Sequence, residues 1–357
     1  MKILELNLER GWRGGERQTL WSAMRFRDAG HDVSLLAREG EPLALAAAEA
    51  GLRVHGLQGS AQALPFLATQ GRRFDILHSQ TAHMLSWCVM TKWAHRRPIV
   101  CSRRVAFALG GGFSRLKYRL ADKVVAISEA CAAAPREAGV RDVRIIRSAV
   151  RADAPDREAV IRFVHEHGLQ GRKVLATMSA LATDKDPHTM VGAVDALRQR
   201  RQDFVFLHFG QGAMAEEIAG AVRQAGLESH YRLMGFHRNP EDLYACLDGY
   251  VMSSREEGLG SSVLDAMMRR VPVASTDAGG LTEVLAEGRG LLSPVGDAQA
   301  LARNMEQLIS DEPACRHQRQ DMIDSAHAWV RRECDVDSMG DRYLALFLEL
   351  LRQRGEA

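Results

Sequence analysis

The feature that most constrains this chain is a rhythm that runs through twice. Short apolar runs rich in β-branched residues alternate with longer helical patterns. "KILELN" (2–7) reads as a first strand, and "GERQTLWSAMRFRDA" (15–29) as an amphipathic helix with Leu20, Met24 and Phe26 among its apolar members. Further strand candidates are 31–37, 74–79, 98–102, 123–128 and 143–148. Buried-looking strands separated by helices point to βαβ units, whose parallel sheet is covered on both faces. The charged, proline-containing stretch 151–172 interrupts the series. It then restarts with strands at 173–179, 203–210, 231–236, 249–254 and 271–276. The pattern predicts two successive doubly wound α/β halves. A chain of 357 residues also exceeds what one core usually supports. The expected division is a first domain over 1–150, a second over 151–335, and a closing segment 336–357 whose helix reads as "DRYLALFLELLRQR" (341–354).

Composition narrows the class. With 46% hydrophobic and 26% charged residues the chain reads as soluble and globular. No window approaches the roughly 18 uninterrupted apolar residues of a membrane span, and the N-terminus lacks an apolar run of signal-peptide length. Six scattered cysteines without a CxxC pair read as reduced thiols of a cytoplasmic protein. The net charge of +2 conceals a split: residues 1–150 carry 23 Lys and Arg against 13 Asp and Glu, and the remainder 24 against 32. Such asymmetry directs the first half toward an anionic partner, with uneven surface charge as the plain alternative. The aromatic-interleaved basic patch of a single-strand nucleic-acid binder is missing, so no nucleic acid is expected. In "GGGFSRLKYRLADK" (110–123), Arg115, Lys117, Arg119 and Lys123 form an expected cationic face beside a flexible glycine run. An anionic membrane surface or a phosphorylated acceptor fits this better.

In open parallel sheets, ligands sit beyond the carboxyl ends of the strands. Three glycine turns fall there: Gly14 and Gly15 after the first strand, Gly210 and Gly212 after "VFLHF", and "EGLGSS" (257–262) after "YVMSS". A turn presenting successive N–H groups at a helix start suits phosphate, although the first lacks the GxGxxG spacing of a dinucleotide site. The third is the richest. Glu257 precedes the turn, where a carboxylate accepts sugar hydroxyls, and Asp265 lies about one turn into the following helix, within reach of a ribose. The competing reading makes Ser262 and Asp265 a capping box.

The run Glu257-Gly-x-Gly-x-x-x-x-Asp265-Ala-Met, followed by "VPVASTDAGGLTEVL", resembles the signature of retaining GT-B glycosyltransferases of family 4. "ADKVVAISEA" (121–130), "IIRSAVR" (145–151) and "LMGF" with "NPEDLYACLDGYVMSS" fall in family order, so the resemblance covers nearly the whole chain. It implies two Rossmann-like domains facing each other across a cleft. Glu257 would engage the donor sugar, Asp265 the nucleoside ribose, and Gly258, Leu259, Gly260, Ser261 and Ser262 the diphosphate. Lys185 would neutralise that diphosphate. Gly14, Gly15, Gly210 and Phe236 would complete the donor site. The sequence departs from the pattern twice: the second acid is Asp265 where Glu is usual, and the family's arginine aligns with Ala180. Arg103 and Arg104 are the candidates to replace the missing charge, their plain reading being surface cations. His83 falls in the loop resembling the family's acceptor region. A nucleotide-sugar donor, a glycan or glycolipid acceptor such as lipopolysaccharide core, no cofactor, no metal and a peripheral place at the inner face of the cytoplasmic membrane are the expected setting. "DVD" (335–337) has metal-motif spacing but lies between helical segments, "HEH" (165–167) has too few partners for a closed site, and no G-x-S-x-G elbow marks a hydrolase. A nucleotide-sugar epimerase or hydrolase, or a catalytically silent nucleotide-sugar-binding protein, stays open.

Overall fold

The computed structural model describes residues 1–151, 153–237 and 240–355. The chain divides into two compact units: Met1–Ala149 together with the chain from Glu333 on, and Val150–Arg332.

The first unit holds a seven-stranded parallel sheet of β1 (Lys2–Asn7), β2 (Asp32–Arg38), β3 (Arg53–Leu57), β4 (Ile76–Ser79), β5 (Ile99–Arg103), β6 (Lys123–Ala126) and β7 (Val143–Ile145). Their order is β3-β2-β1-β4-β5-β6-β7, so the winding direction reverses between β1 and β4. The second unit holds a six-stranded parallel sheet of β8 (Lys173–Met178), β9 (Phe204–Phe209), β10 (Tyr231–Gly235), β11 (Gly249–Met252), β12 (Val273–Thr276) and β13 (Leu291–Ser293). Its order is β10-β9-β8-β11-β12-β13, reversing between β8 and β11. Loops leaving the strands on either side of a reversal diverge, which opens a crevice at the carboxyl edge. The fold class is therefore the doubly wound α/β pair that the alternation predicts.

Two strands escaped the sequence reading. β3 is a half-exposed edge strand containing a glycine, and β13 is three residues long at the other sheet's edge. Neither shows the continuous apolar run that marks a strand buried on both faces.

The helix Val336–Gln353 packs in the first unit: Met339, Tyr343, Leu346, Phe347 and Leu350 share a core with Phe26, Leu35 and Ile76. Asp335, the first acid of "DVD", caps this helix by accepting from the N–H groups of Asp337 (3.0 Å) and Ser338 (3.2 Å). The motif is a helix start.

The expected cationic face at 115–123 is corrected. Arg115 and Arg119 are exposed, but Lys117 and Lys123 are buried. Lys117 donates to the Ala82 carbonyl (2.6 Å) and Ser86 Oγ (3.0 Å), and Lys123 is ion-paired with Asp142. At 100° per residue, Arg115 and Arg119 lie on one side of the helix Gly111–Leu120, and Lys117 falls on the opposite side with Tyr118. The outward arc also bears Phe113, Leu116 and Leu120, all at least 42% exposed. All six cysteines are free thiols.

Candidate active site

In the second unit, four strand-to-helix connections meet at the carboxyl edge. Two are joined by main chain pressed on main chain. The Gly280 N–H donates to the Glu257 carbonyl at 2.9 Å. A Cβ at Gly280 would stand 2.2 Å from the Gly258 carbonyl oxygen, and one at Gly279, with φ +53°, 2.3 Å from that of Glu257. Only glycine allows this approach. Gly210 repeats the device between β9 and β8: its φ is +149° and an added Cβ would stand 1.9 Å from the Ser179 carbonyl oxygen.

The loop after β11 is also tied to the turn Thr183–Lys185. Arg255 donates its backbone N–H to the Asp184 carbonyl (2.8 Å) and its Nε to Asp186 Oδ2 (2.9 Å). Ser253 Oγ donates to the Lys185 (2.9 Å) and Asp186 (3.0 Å) carbonyls. The result brings Lys185 Nζ to 2.7 Å from Glu257 Oε2. Burial opposes the Lys185 ammonium, yet Glu257 and Asp184 outweigh it and raise its pKa above the ordinary lysine value. Lysine is therefore charged at neutral pH, next to a half-buried carboxylate.

The helix Ser261–Met268 begins at Gly260, which has φ +82° and offers no side-chain cap. The capping-box reading of Ser262 is corrected on that ground. Ser262 sits inside the helix, and its Oγ accepts from the Tyr250 hydroxyl at 2.7 Å while its carbonyl accepts from Tyr244 at 2.9 Å. Burial pushes the Tyr250 phenol up to about 12, so it remains a donor. Asp265 is buried, with Arg269 Nη1 3.6 Å from its carboxylate. Glu256 is exposed, as is Phe236 beyond β10. Ala180 is exposed in the loop after β8 and contributes no charge.

The first unit has its own cavity, of about 600 Å³, at the carboxyl ends of β1, β4 and β5. It is lined by Asn7–Arg10, Arg13, Gly15 and Glu16, by Gln80–Met84, by Ser102–Val105, and by Arg38, Ser60 and Tyr118. His83, Arg103 and Arg104 are thus brought together; Gly14 starts the helix Gly14–Asp28 beside it. Arg103 is buried, donating to the Tyr118 hydroxyl (3.1 Å) and the Phe107 carbonyl. Arg104 donates to Gln80 Oε1 and lies 3.5 Å from Ser148 Oγ. Neither is a loose surface cation. Behind them, Gln80 Nε2 donates to Glu5 Oε2 (2.6 Å), and Glu5 Oε1 lies 2.7 Å from His78 Nδ1. The chain continues from His78 Nε2 to Ser102 Oγ (2.8 Å) and on to the Tyr343 hydroxyl (2.7 Å). A buried polar network thus props the cavity floor from the sheet centre.

Sequence reasoning missed Arg10, Arg13 and Gln80. Its available signal was position, since Arg10 and Arg13 follow β1 immediately in the same turn as Gly14 and Gly15. It also missed Tyr250, whose brace on Ser262 leaves no local pattern.

Two family models match the chain: "Glycosyl transferases group 1" over residues 161–329 and "Glycosyltransferase Family 4" over residues 12–154. Each half of this chain is thus similar to a glycosyltransferase domain. The 2-deoxystreptamine glucosyltransferase of Streptomyces kanamyceticus is 29% identical over 274 residues, covering 74% of this chain and 68% of that protein. The lipopolysaccharide core biosynthesis glycosyltransferase LpsE of Rhizobium meliloti is 27% identical over 175 residues, covering 48% of this chain and about half (49%) of LpsE. The Anabaena protein HepE, solved with UDP and glucose, superposes with a TM-score of 0.83 at 20% identity, over 98% of this chain and 100% of its own. That likeness fixes the fold as GT-B.

Gly280→Ala tests the loop contact. The added methyl meets rigid backbone, an overpacking cost of about 1–3 kcal/mol. Gly220→Ala, on a helix with open space around it, should be neutral or stabilising by up to about 1 kcal/mol. Urea unfolding of both variants checks this, and equal stability would contradict the close-packed loop.

Proposed function

We propose that the protein transfers a hexose-type sugar, with retention, from a nucleotide-diphosphate donor to a hydroxyl of a lipid-linked glycan such as lipopolysaccharide core. The observation that carries the donor assignment is the Lys185–Glu257 pair, held at 2.7 Å beside a helix start without a side-chain cap. The cation and the helix N-terminus suit a diphosphate. Glu257 suits a sugar hydroxyl, since bonds to an ionised acceptor are the stronger kind. Asp265 is the candidate for the ribose, and Gly258–Ser262, Gly210 and Phe236 for the surrounding surface.

In the reaction the acceptor hydroxyl oxygen bonds to the anomeric carbon as the bond from that carbon to the phosphate oxygen breaks. The attack is on the face the phosphate leaves, and the leaving phosphate takes the hydroxyl proton. Lys185 stabilises the charge that builds on the diphosphate. No resident metal or cofactor enters this reading, which follows the family resemblance. The first unit, with His83, Arg103 and Arg104 in its cavity, is assigned the acceptor. The names of the relatives support this class of chemistry, one acting on 2-deoxystreptamine and another in lipopolysaccharide core synthesis.

A thermal-shift screen of UDP-, GDP-, ADP- and CMP-sugars, followed by transfer assays, tests the donor reading. The matching donor at 100 times its Kd should stabilise by about 2.7 kcal/mol. Glu257→Gln should lower transfer at least about tenfold, roughly 1.4 kcal/mol in the barrier. No shift with any donor, or near-normal turnover in the variant, would contradict it. Donor breakdown without acceptor would instead favour a hydrolase or epimerase, and binding with no turnover a silent nucleotide-sugar-binding protein.

Contact with an anionic membrane is the second part of the proposal. No helix among the described residues is long and apolar enough to cross a membrane. Its support is the outward arc of the helix Gly111–Leu120, where Arg115 and Arg119 adjoin exposed Phe113, Leu116 and Leu120. Apolar insertion with flanking cations is an interfacial pattern, each cation near an anionic surface being worth about 1 kcal/mol. Arg115→Gln with Arg119→Gln should weaken co-sedimentation with anionic vesicles and reduce its salt dependence. Phe113→Ser with Leu116→Ser should weaken it at all salt concentrations. Equal binding to anionic and neutral vesicles, or none to either, removes the membrane from the account.

A further inference from the structure

The first-unit cavity is unusual in charge. Arg10, Arg13, Arg38, Arg103 and Arg104 line it, with no lysine and no aspartate. Its two carboxylates are Glu9 and Glu16. Glu16 is buried and already accepts from Asn7 Nδ2 (3.3 Å) and the Arg13 backbone N–H (2.9 Å). Glu9 is exposed at the rim.

The arginines' own bonds do not cancel this charge. Arg38 donates to the Leu8 and Gln58 carbonyls (3.3 and 2.8 Å), Arg103 to Tyr118 and Phe107, and Arg104 to Gln80. Every one of these acceptors is neutral. The buried Nε atoms of Arg103 and Arg104 have no hydrogen-bond partner at all. Arg10 and Arg13 are exposed, and neither is ion-paired with a carboxylate among the described residues. A guanidinium's planar fork matches carboxylate and phosphate oxygens and has no acceptor with which to hold an amine.

We infer that the acceptor carries an acidic group, a phosphate or carboxylate borne on a sugar, which Arg10, Arg13 and Arg104 recognise. The inference rests on the reading that the first unit holds the acceptor. Arg104 is the fixed member, because Gln80, itself held by Glu5, aims it at the cavity. Arg10 and Arg13 sit on the turn after β1 and supply the adjustable donors. A volume of about 600 Å³ admits a sugar with its acidic substituent rather than a bare anion. The same field turns away a polycationic acceptor, so chemistry on an amino-sugar core is excluded for this chain while chemistry on an acidic glycan is favoured.

Calorimetric titration of the full chain with glucose 6-phosphate, glucuronic acid, glucose and glucosamine, each with and without saturating UDP, tests this. At low salt at least one acidic sugar should bind roughly tenfold tighter than glucose, and glucosamine more weakly than glucose. Comparing the phosphate with the carboxylate identifies which acid the site prefers. In Arg10→Gln/Arg13→Gln the preference should shrink to about threefold or less, and in the wild type it should fade as salt rises. Equal binding of acidic and neutral sugars overturns the inference, as does a preference that survives the double substitution. Abolition of acidic-sugar binding by UDP also overturns it, since the arginines would then serve the donor. UDP binding is read separately on the wild-type chain. Its failure removes the donor assignment while the acid preference stands.

Discussion

Bare backbone packed on bare backbone is the constraint on which the second unit depends. Glu257, Gly258, Gly279 and Gly280 bring two strand-to-helix loops closer than any Cβ permits, and Gly210 does the same against Ser179. Glycine is costly to order, and three such positions, Gly210, Gly279 and Gly280, concentrate that cost at the sheet's carboxyl edge. What the cost secures is placement. With the loop after β11 fixed against the helix Gly280–Leu285 on one side and the turn Thr183–Lys185 on the other, Glu257 has little choice but to meet Lys185. A charged pair set by main chain is preorganised, so little side-chain entropy is spent when a ligand arrives.

The first unit solves the same problem by other means. Its cavity floor is held by side chains: Tyr343, Ser102, His78, Glu5 and Gln80 hand hydrogen bonds from the terminal helix through the sheet to Arg104. Glu5 and His78 are fully buried, and a polar group buried without a partner would cost about 1–3 kcal/mol, more when charged. The network is therefore tolerable only while complete. It also gives the helix Val336–Gln353 a role at the cavity, although that helix is last in sequence and Arg104 lies in the first third of the chain.

The alternation of apolar runs and helices made the doubly wound fold legible, since strands buried on both faces have no other composition available. Edge strands β3 and β13 were not legible, because half-exposed backbone places no such demand on its side chains. Within the site, "EGLG" stood out as a glycine turn at a helix start, which suits phosphate, and Lys185 stood out only through the family resemblance. The competing cap at Ser262 fits the spacing to Asp265, but the helix starts at Gly260 and Ser262 Oγ instead accepts from Tyr250, a partner set by tertiary packing. Lys117 misled for a related reason, since the basic residues at 115–123 look like one face only until the helix's 100° step turns Lys117 away from Arg115 and Arg119 and strand β6 takes Lys123. Arg10 and Arg13 carried no motif. Their meaning lies in the arginines that β2 and β5 bring beside them.

The central claim is that the second unit's loop layer binds the donor diphosphate through Lys185. Titrating UDP, GDP and ADP into the wild type and Lys185→Gln tests it most directly. The account predicts that the best-bound nucleotide loses at least about tenfold in affinity, roughly 1.4 kcal/mol, while thermal unfolding without ligand changes far less. Undiminished nucleotide affinity in the folded variant would contradict it.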